Sequence, residues 1–256
     1  MQRYGGTLIH SSRDHEGVIE VVDAHGVRSL HFGTPPKQSS MSLTEPDRLE
    51  LPYVRAMTGA LMFHDHPARV LILGLGGGSL ARFFLSEFPE CEVTAVELRR
   101  QVVEVARQFF HLPEDGRLSL HVADADDYVY SERESVASRY DLLLVDTYDH
   151  IGMVPHINAA SFFANAKSLL SPQGVLAINL WGTHKVSLQR ATDLLKKTFG
   201  PKCFKLPVPN RGNVIGFGLN SDANITVIKS LSAKAMELEL RLGVEMRQFL
   251  ERVKAF

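Results

Sequence analysis

Residues 69–78 read RVLILGLGGG, an apolar run that ends abruptly in glycines. A short branched-aliphatic run bounded by glycine is the pattern of a strand buried on both faces, and such strands belong to parallel sheets covered by helices. The next stretch, LARFFLSEF, has helical spacing, and CEVTAVE is a second apolar run that closes on an acid, Glu97. This order of strand, glycines, helix, strand and acid predicts an α/β chain with its ligand site at the carboxyl ends of the strands. Gly74, Gly76, Gly77 and Gly78 let the backbone turn tightly and let a ligand approach the main chain. Glu97 is positioned to accept hydrogen bonds from ribose hydroxyls.

The remaining chain repeats the alternation. LRRQVVEVARQFF reads as a helix, LSLHVAD and YDLLLVD as strands, AASFFANAKSLL as a helix stopped by Pro172 and Gly174, and GVLAINLW as a fifth strand. SLQRATDLLKKTFG is a helix closed by Gly200. A terminal hairpin over 203–219 turns at residues 210–213, and the last thirty or so residues are mostly helical, by the same periodicity. Ahead of this body, GVIEVVDAHGVRSLHFG carries a hairpin signal around Asp-Ala-His-Gly, and LELPYVRAMTGALMF reads as a helix. The expected division is a small β-rich domain with its linking helix at residues 1–58 and a nucleoside-binding domain at 59–256.

The glycines narrow the ligand. A dinucleotide fingerprint needs a glycine where Ser79 stands, whereas the run satisfies G-x-G-x-G. That pattern resembles the first motif of S-adenosylmethionine-binding folds. The expected architecture is therefore a Rossmann-like S-adenosylmethionine-dependent transferase fold, with a mainly parallel seven-stranded sheet. In that fold, an acid just after the third strand takes the adenine amine and the next residue's N–H meets a ring nitrogen. Asp124 and Ala125 occupy those positions.

The fourth strand ends in Asp146-Thr147-Tyr148-Asp149. Carboxylates leaving a buried strand need partners, and a cationic amine would supply them. A carboxylate there attracts an ammonium and can receive its proton as nitrogen attacks carbon. With an ordinary aspartate pKa of about 4, positioning and electrostatics would count as much as proton removal.

From about Gly17 to Leu219 the chain resembles the spermidine synthase (polyamine aminopropyltransferase) family. The resemblance is carried by Gln38, Tyr53, RVLILGLGGGSLARFF, AVE, VADAD and YDLLLVDTYD. It implies transfer of an aminopropyl group from decarboxylated S-adenosylmethionine to a diamine such as putrescine, with methylthioadenosine released. It implies further that Asp146 stands near the attacking amine, assisted by Tyr53, and that Asp149 helps to hold the acceptor. Glu97 and Asp124 would bind ribose and adenine, and Gln38 would lie against the nucleoside. A homodimer or homotetramer is implied as well.

Three places depart from the family pattern. Gly77 stands where the family loop carries an Asp for the donor's amine, Arg55 where an acid is often found, and Thr147-Tyr148-Asp149-His150 where S-x-D-P is typical. Two other readings therefore stay open. One is a small-molecule methyltransferase using intact S-adenosylmethionine, with Arg55 meeting the donor carboxylate. The other is a nucleoside-binding paralogue without catalysis.

A net charge of −1 shows no electrostatic footprint for nucleic acid or an anionic membrane. No apolar stretch approaches bilayer-spanning length, and Cys91 and Cys203 lack metal-type spacing. The expectation is a cytoplasmic enzyme without metal. His64-Asp65-His66 reads as a solvated turn, and His150 as a loop residue. Asn179 and Trp181 end the fifth strand near the expected pocket mouth, and the stripe Leu238, Leu242, Met246 and Leu250 reads as core or subunit surface.

Overall fold

Positive-φ residues shape the N-terminal meander of the computed structural model, which describes residues 1–134, 139–147, 158–182, 185–210, 212–220 and 226–256. Strands β1 (Gln2–Arg3), β2 (Gly6–Asp14), β3 (Gly17–Ala24), β4 (Val27–His31) and β5 (Ser39–Ser42) pair in that order, all antiparallel. His25 and Gly26, at φ 51° and 75°, form the two-residue turn between β3 and β4. This backbone hand matches the twist of the flanking strands, so the hairpin read from the sequence is present. Helix α1 (Pro52–Met57) then runs into a 3₁₀ turn, Thr58–Met62. One continuous helix was expected there, but the Thr58 hydroxyl donates to the Arg55 carbonyl at 2.7 Å where the α-helix ends.

The main body alternates as its periodicity requires: β6 (Arg69–Leu73), α2 (Ser79–Glu87), β7 (Glu92–Glu97), α3 (Arg100–Phe109), β8 (Leu118–Val122), α4 (Ala125–Glu132) and β9 (Tyr140–Val145). There follow α5 (Ala160–Ser168), β10 (Leu170–Trp181), α6 (Lys185–Phe199), β11 (Cys203–Pro207), β12 (Asn213–Leu219), α7 (Thr226–Leu242), α8 (Met246–Arg252) and β13 (Lys254–Ala255). The strand order is β13-β11-β12-β10-β9-β6-β7-β8, with β8 through β10 parallel and the rest antiparallel. The seven expected strands are there. An eighth, two residues long, is added where the last residues of the chain pair with the edge of β11. β10 also begins earlier than its apolar run suggests, because Leu170 already pairs with Tyr140 before a register shift at 170–175.

Alternation along the central strands sorts the core into two layers. Val70, Ile72, Leu142 and Leu144 face one buried cluster with α1, α2, α7 and α8, while Leu71, Leu73, Leu143 and Val145 face another with α5 and α6. The C-terminal stripe joins the first cluster: Leu238 and Met246 are buried, and Leu242 and Leu250 pack against them. A third cluster joins Ile19, Val21, Leu30 and Met41 of the N-terminal sheet to Val102, Val105 and Phe110. Two arginines reinforce that junction. Arg99 makes a two-pronged pair with Asp14 at 2.8 and 3.0 Å, and Arg28 donates to the Phe109 carbonyl at 2.9 Å.

The chain leaves β6 toward β7 and β8, then returns to place β9 on the other side of β6. Ligands of open α/β sheets bind at such a reversal, and the N-terminal sheet stands over this one. Phe110 is fully buried where sheet, α3 and the glycine loop meet. Phe110→Ala should cost about 3–5 kcal/mol of stability, read as a lowered denaturation midpoint with an unchanged denaturant slope.

Candidate active site

Two strand ends meet at the reversal. The Asp146 N–H donates to the Leu73 carbonyl at 2.8 Å, and the Gly74 N–H to the Val96 carbonyl at 2.9 Å. The backbones lie so close that a Cβ on Gly74 would sit 2.3 Å from the Asp146 carbonyl oxygen, and Gly74 has a φ of 93°. Only glycine satisfies both conditions. Beyond it opens a cavity of about 770 Å³, within the roughly 300–1,000 Å³ of small-molecule sites.

Gln38, Tyr53, Gly74, Gly76, Glu97, Asp124, Ala125 and Asp146 all line this cavity. Asp149 and His150 lie outside the described residues. Gly77 and Gly78, expected to meet the ligand, are not among the lining residues and lie close against other protein groups. The Gly77 N–H donates to Ser39 Oγ at 2.9 Å, and a Cβ there would meet Ser39 Cβ and the Phe110 ring, each at 2.9 Å. A Cβ on Gly78, the residue before α2, would meet Leu112 at 2.7 Å. These two glycines let the loop lie against its protein neighbours. Arg82, buried on α2, grips the loop from behind by donating to the carbonyls of Gly77 at 2.8 Å and Pro46 at 3.1 Å.

Glu97 is 9% exposed and serves the loop as well as the cavity. Its Oε2 accepts from the N–H groups of Leu75 at 3.1 Å and Gly76 at 3.3 Å, and its Oε1 from that of Arg99 at 3.0 Å. Burial pushes its pKa up, and the three N–H groups pull it back toward the ionised form. Asp124 is the cap of α4: its Oδ1 accepts from the N–H groups of Asp126 at 2.8 Å and Asp127 at 3.3 Å. Capping thus employs one oxygen of a carboxylate that also lines the cavity.

Asp146, like Glu97, is an acid of the cavity whose pKa burial raises. Burial pushes its pKa up to about 6, opposed by hydrogen bonds from Asn179 and Tyr53. Asn179 Nδ2 donates to Asp146 Oδ1 at 2.8 Å, and Asn213 Nδ2 donates to Asn179 Oδ1 at 3.0 Å. The Tyr53 hydroxyl also lies 3.3 Å from the Gln38 carbonyl, so strand β9, helix α1 and the N-terminal segment converge on one carboxyl. Glu16, Glu50, Glu97, Asp124 and Asp146 line the cavity together with Lys37 and Arg99, and the latter is neutralised by Asp14. The excess of carboxylates favours a cationic ligand.

Arg55 does not line the cavity. Its Nε meets both Glu245 oxygens at 3.0 and 3.1 Å, and its Nη1 donates to the carbonyls of Leu49 and Glu50 at 2.8 and 3.0 Å. The expectation that Arg55 meets a donor carboxylate is thereby corrected: its partners are protein groups. His64 contacts the Gln173 carbonyl at 3.2 Å and Asp65 pairs with Lys234 at 2.9 Å. Among the described residues no group of three His, Cys, Asp or Glu gathers as a metal site. Sequence reasoning gave Asn213 only a place in a turn and overlooked Ser39. Neither carries a local signal, because both act across the join between distant segments.

A profile of the spermine/spermidine synthase domain matches residues 50–228. A polyamine aminopropyltransferase of Chromobacterium violaceum is 38% identical over 92% of this chain and 89% of its own length. Among solved structures, a probable spermidine synthase from Corynebacterium glutamicum superposes with a TM-score of 0.73 at 21% identity, covering 90% of this chain and 87% of the other. Human methyltransferase-like protein 13, in complex with SAH, superposes with a TM-score of 0.63 at 26% identity, covering 81% of this chain and 96% of the other. The fold and cavity define a Rossmann-like transferase, and the chain belongs to the spermine/spermidine synthase family.

The packing behind Gly77 has a direct test. Gly77→Asp should destabilise the protein by about 1–3 kcal/mol through overpacking, seen in chemical denaturation, and should leave affinity for a cationic donor no higher than in the wild type.

Proposed function

We propose that the protein transfers the aminopropyl group of decarboxylated S-adenosylmethionine to a diamine such as putrescine, releasing methylthioadenosine. The observation that carries this reading is Asp146, a perturbed carboxyl between Tyr53 and Asn179 on the wall of an acid-rich cavity. The nucleoside half of the donor occupies the strand-end cleft. Glu97 holds the ribose, Asp124 and Ala125 the adenine edge, Gly74 and Gly76 offer backbone, and Gln38 covers the nucleoside from the N-terminal side. Each of these residues lines the cavity, which supports the assignment.

The acceptor arrives as an ammonium. Asp146 attracts it and takes one proton, freeing the nitrogen lone pair; Tyr53 orients the pair, and Asp149 holds the rest of the acceptor chain. The amine attacks the carbon beside the sulfonium, the C–S bond breaks, and its electrons return to sulfur as a neutral thioether. The product nitrogen keeps its two remaining protons as a secondary ammonium, and the single proton held by Asp146 passes to solvent. A base with a pKa near 6 is closer to neutrality than an ordinary aspartate, and it needs no metal for this step.

Gly77 favours a second reading, methyl transfer from intact S-adenosylmethionine, because the family's acid for the donor amine is missing there. The engagement of Arg55 with Glu245 weighs against it. Titration of the protein with the two donors separates them: tighter binding of the decarboxylated form, with product formed from putrescine, supports aminopropyl transfer, and preference for the intact donor overturns it.

Two outcomes are expected of the kinetics. Activity should rise with pH through about 6 as the Asp146 carboxylate forms, and should be lost as pH falls through that value. Asp146→Asn should lower kcat by about a hundredfold or more while methylthioadenosine affinity, measured by calorimetry, stays within a few-fold of the wild type.

A further inference from the structure

Behind Asp146 lies a polar chain that none of the roles above uses. Asn179 sits in β10 within the run GVLAINLW and is 3% exposed. It pairs in register with Ile215, and Asn213 lies two residues earlier, at the start of β12. Alternation puts Ile215 and Asn213 on one face of their strand, so the two asparagines are diagonal neighbours across the antiparallel pair. Hydrogen bonds run from Asn213 Nδ2 to Asn179 Oδ1 at 3.0 Å, and from Asn179 Nδ2 to Asp146 Oδ1 at 2.8 Å.

We infer that Asn179, held by Asn213, is a positioning residue that commits Oδ1 of Asp146 to the protein and leaves Oδ2 as the oxygen that meets the acceptor amine. An amide has one end that donates and one that accepts. With Asn213 donating to its oxygen, Asn179 can present only its NH₂ to Asp146. The reversed chain would set the Asn179 oxygen against Asp146 Oδ1, which is tolerable only when the carboxyl is protonated. The orientation of the two amides, one buried at Asn179 and one half-buried at Asn213, is thus coupled to the charge on Asp146, and the ionised form is the one the chain supports. The antiparallel β10–β12 pair gives the chain a rigid base, so the direction of the carboxylate is set by the sheet and not by the ligand.

The inference rests on the aminopropyl-transfer reading for its kinetics, so the test includes a readout that does not. In Asn179→Leu the carboxylate loses a donor, and its protonated form gains. The Asp146 carboxyl carbon, followed by NMR in ¹³C-labelled protein, should then titrate about one pH unit or more above the wild type. The acidic limb of the kcat profile should move to higher pH by the same amount, with kcat at neutral pH reduced roughly tenfold and donor KM changed less than twofold. Asn213→Leu, which frees Asn179 to turn over, should shift both readouts the same way but by less. Asn179→Ser is a smaller change to use if the leucine variants fail to fold. An unshifted Asp146 titration in a folded variant overturns the inference whatever the enzyme's activity. A shifted titration in a protein that transfers no aminopropyl group overturns the function proposed above and leaves the asparagine–carboxylate linkage standing. A fall in melting temperature alone, with pH profile and titration unmoved, assigns the asparagines to structure and also overturns it.

Discussion

A buried carboxylate holds the centre of this molecule together. Glu97 closes the second parallel strand and accepts hydrogen bonds from Leu75, Gly76 and Arg99, so the glycine loop and the start of α3 hang from one side chain. Unpaired, such a group would be expensive to bury. Paired with three backbone N–H groups, it converts a turn with few side chains of its own into a defined shelf. The cavity floor depends on that shelf, which Arg82 and Ser39 support from behind at Gly77.

The roof is built differently. The N-terminal meander has its own hydrogen-bonded strands, yet its apolar face is completed by Val102, Val105 and Phe110 from the other side of the cavity. Arg99 and Arg28 then tie the sheet to the ends of α3. Residues from the meander and its exit segment, such as Phe32, Gln38 and Ser39, line the same cavity as residues from the strand ends. Roof and floor share a hydrophobic seam, so their separation is fixed by packing, and loosening at Phe110 would be felt at both.

Much of this was legible in the residues. The buried strands β6, β7 and β9 announce themselves as apolar runs, and the acid and glycines at their ends mark the strand-end cleft. The His25–Gly26 turn was readable because two-residue hairpins demand positive φ. What stayed hidden was contact between segments distant in sequence. Gly77 looked like ligand-facing backbone, and only the approach of Ser39 and Phe110 reveals that it packs backward. Arg55 looked available to a ligand until Glu245, nearly two hundred residues away, engaged it. The short strand β13 and the early start of β10 escaped notice because neither has an apolar run long enough to signal a strand.

The crowding behind Gly77 also bears on how a site like this one changes through descent. An acid at that position needs room that Ser39 and Phe110 now fill from two other segments. With those neighbours in place, a single substitution to Asp meets a steric penalty before it can offer any charge to a ligand. The three positions form a lock whose order of opening matters: the neighbours must yield first, and the acid can follow.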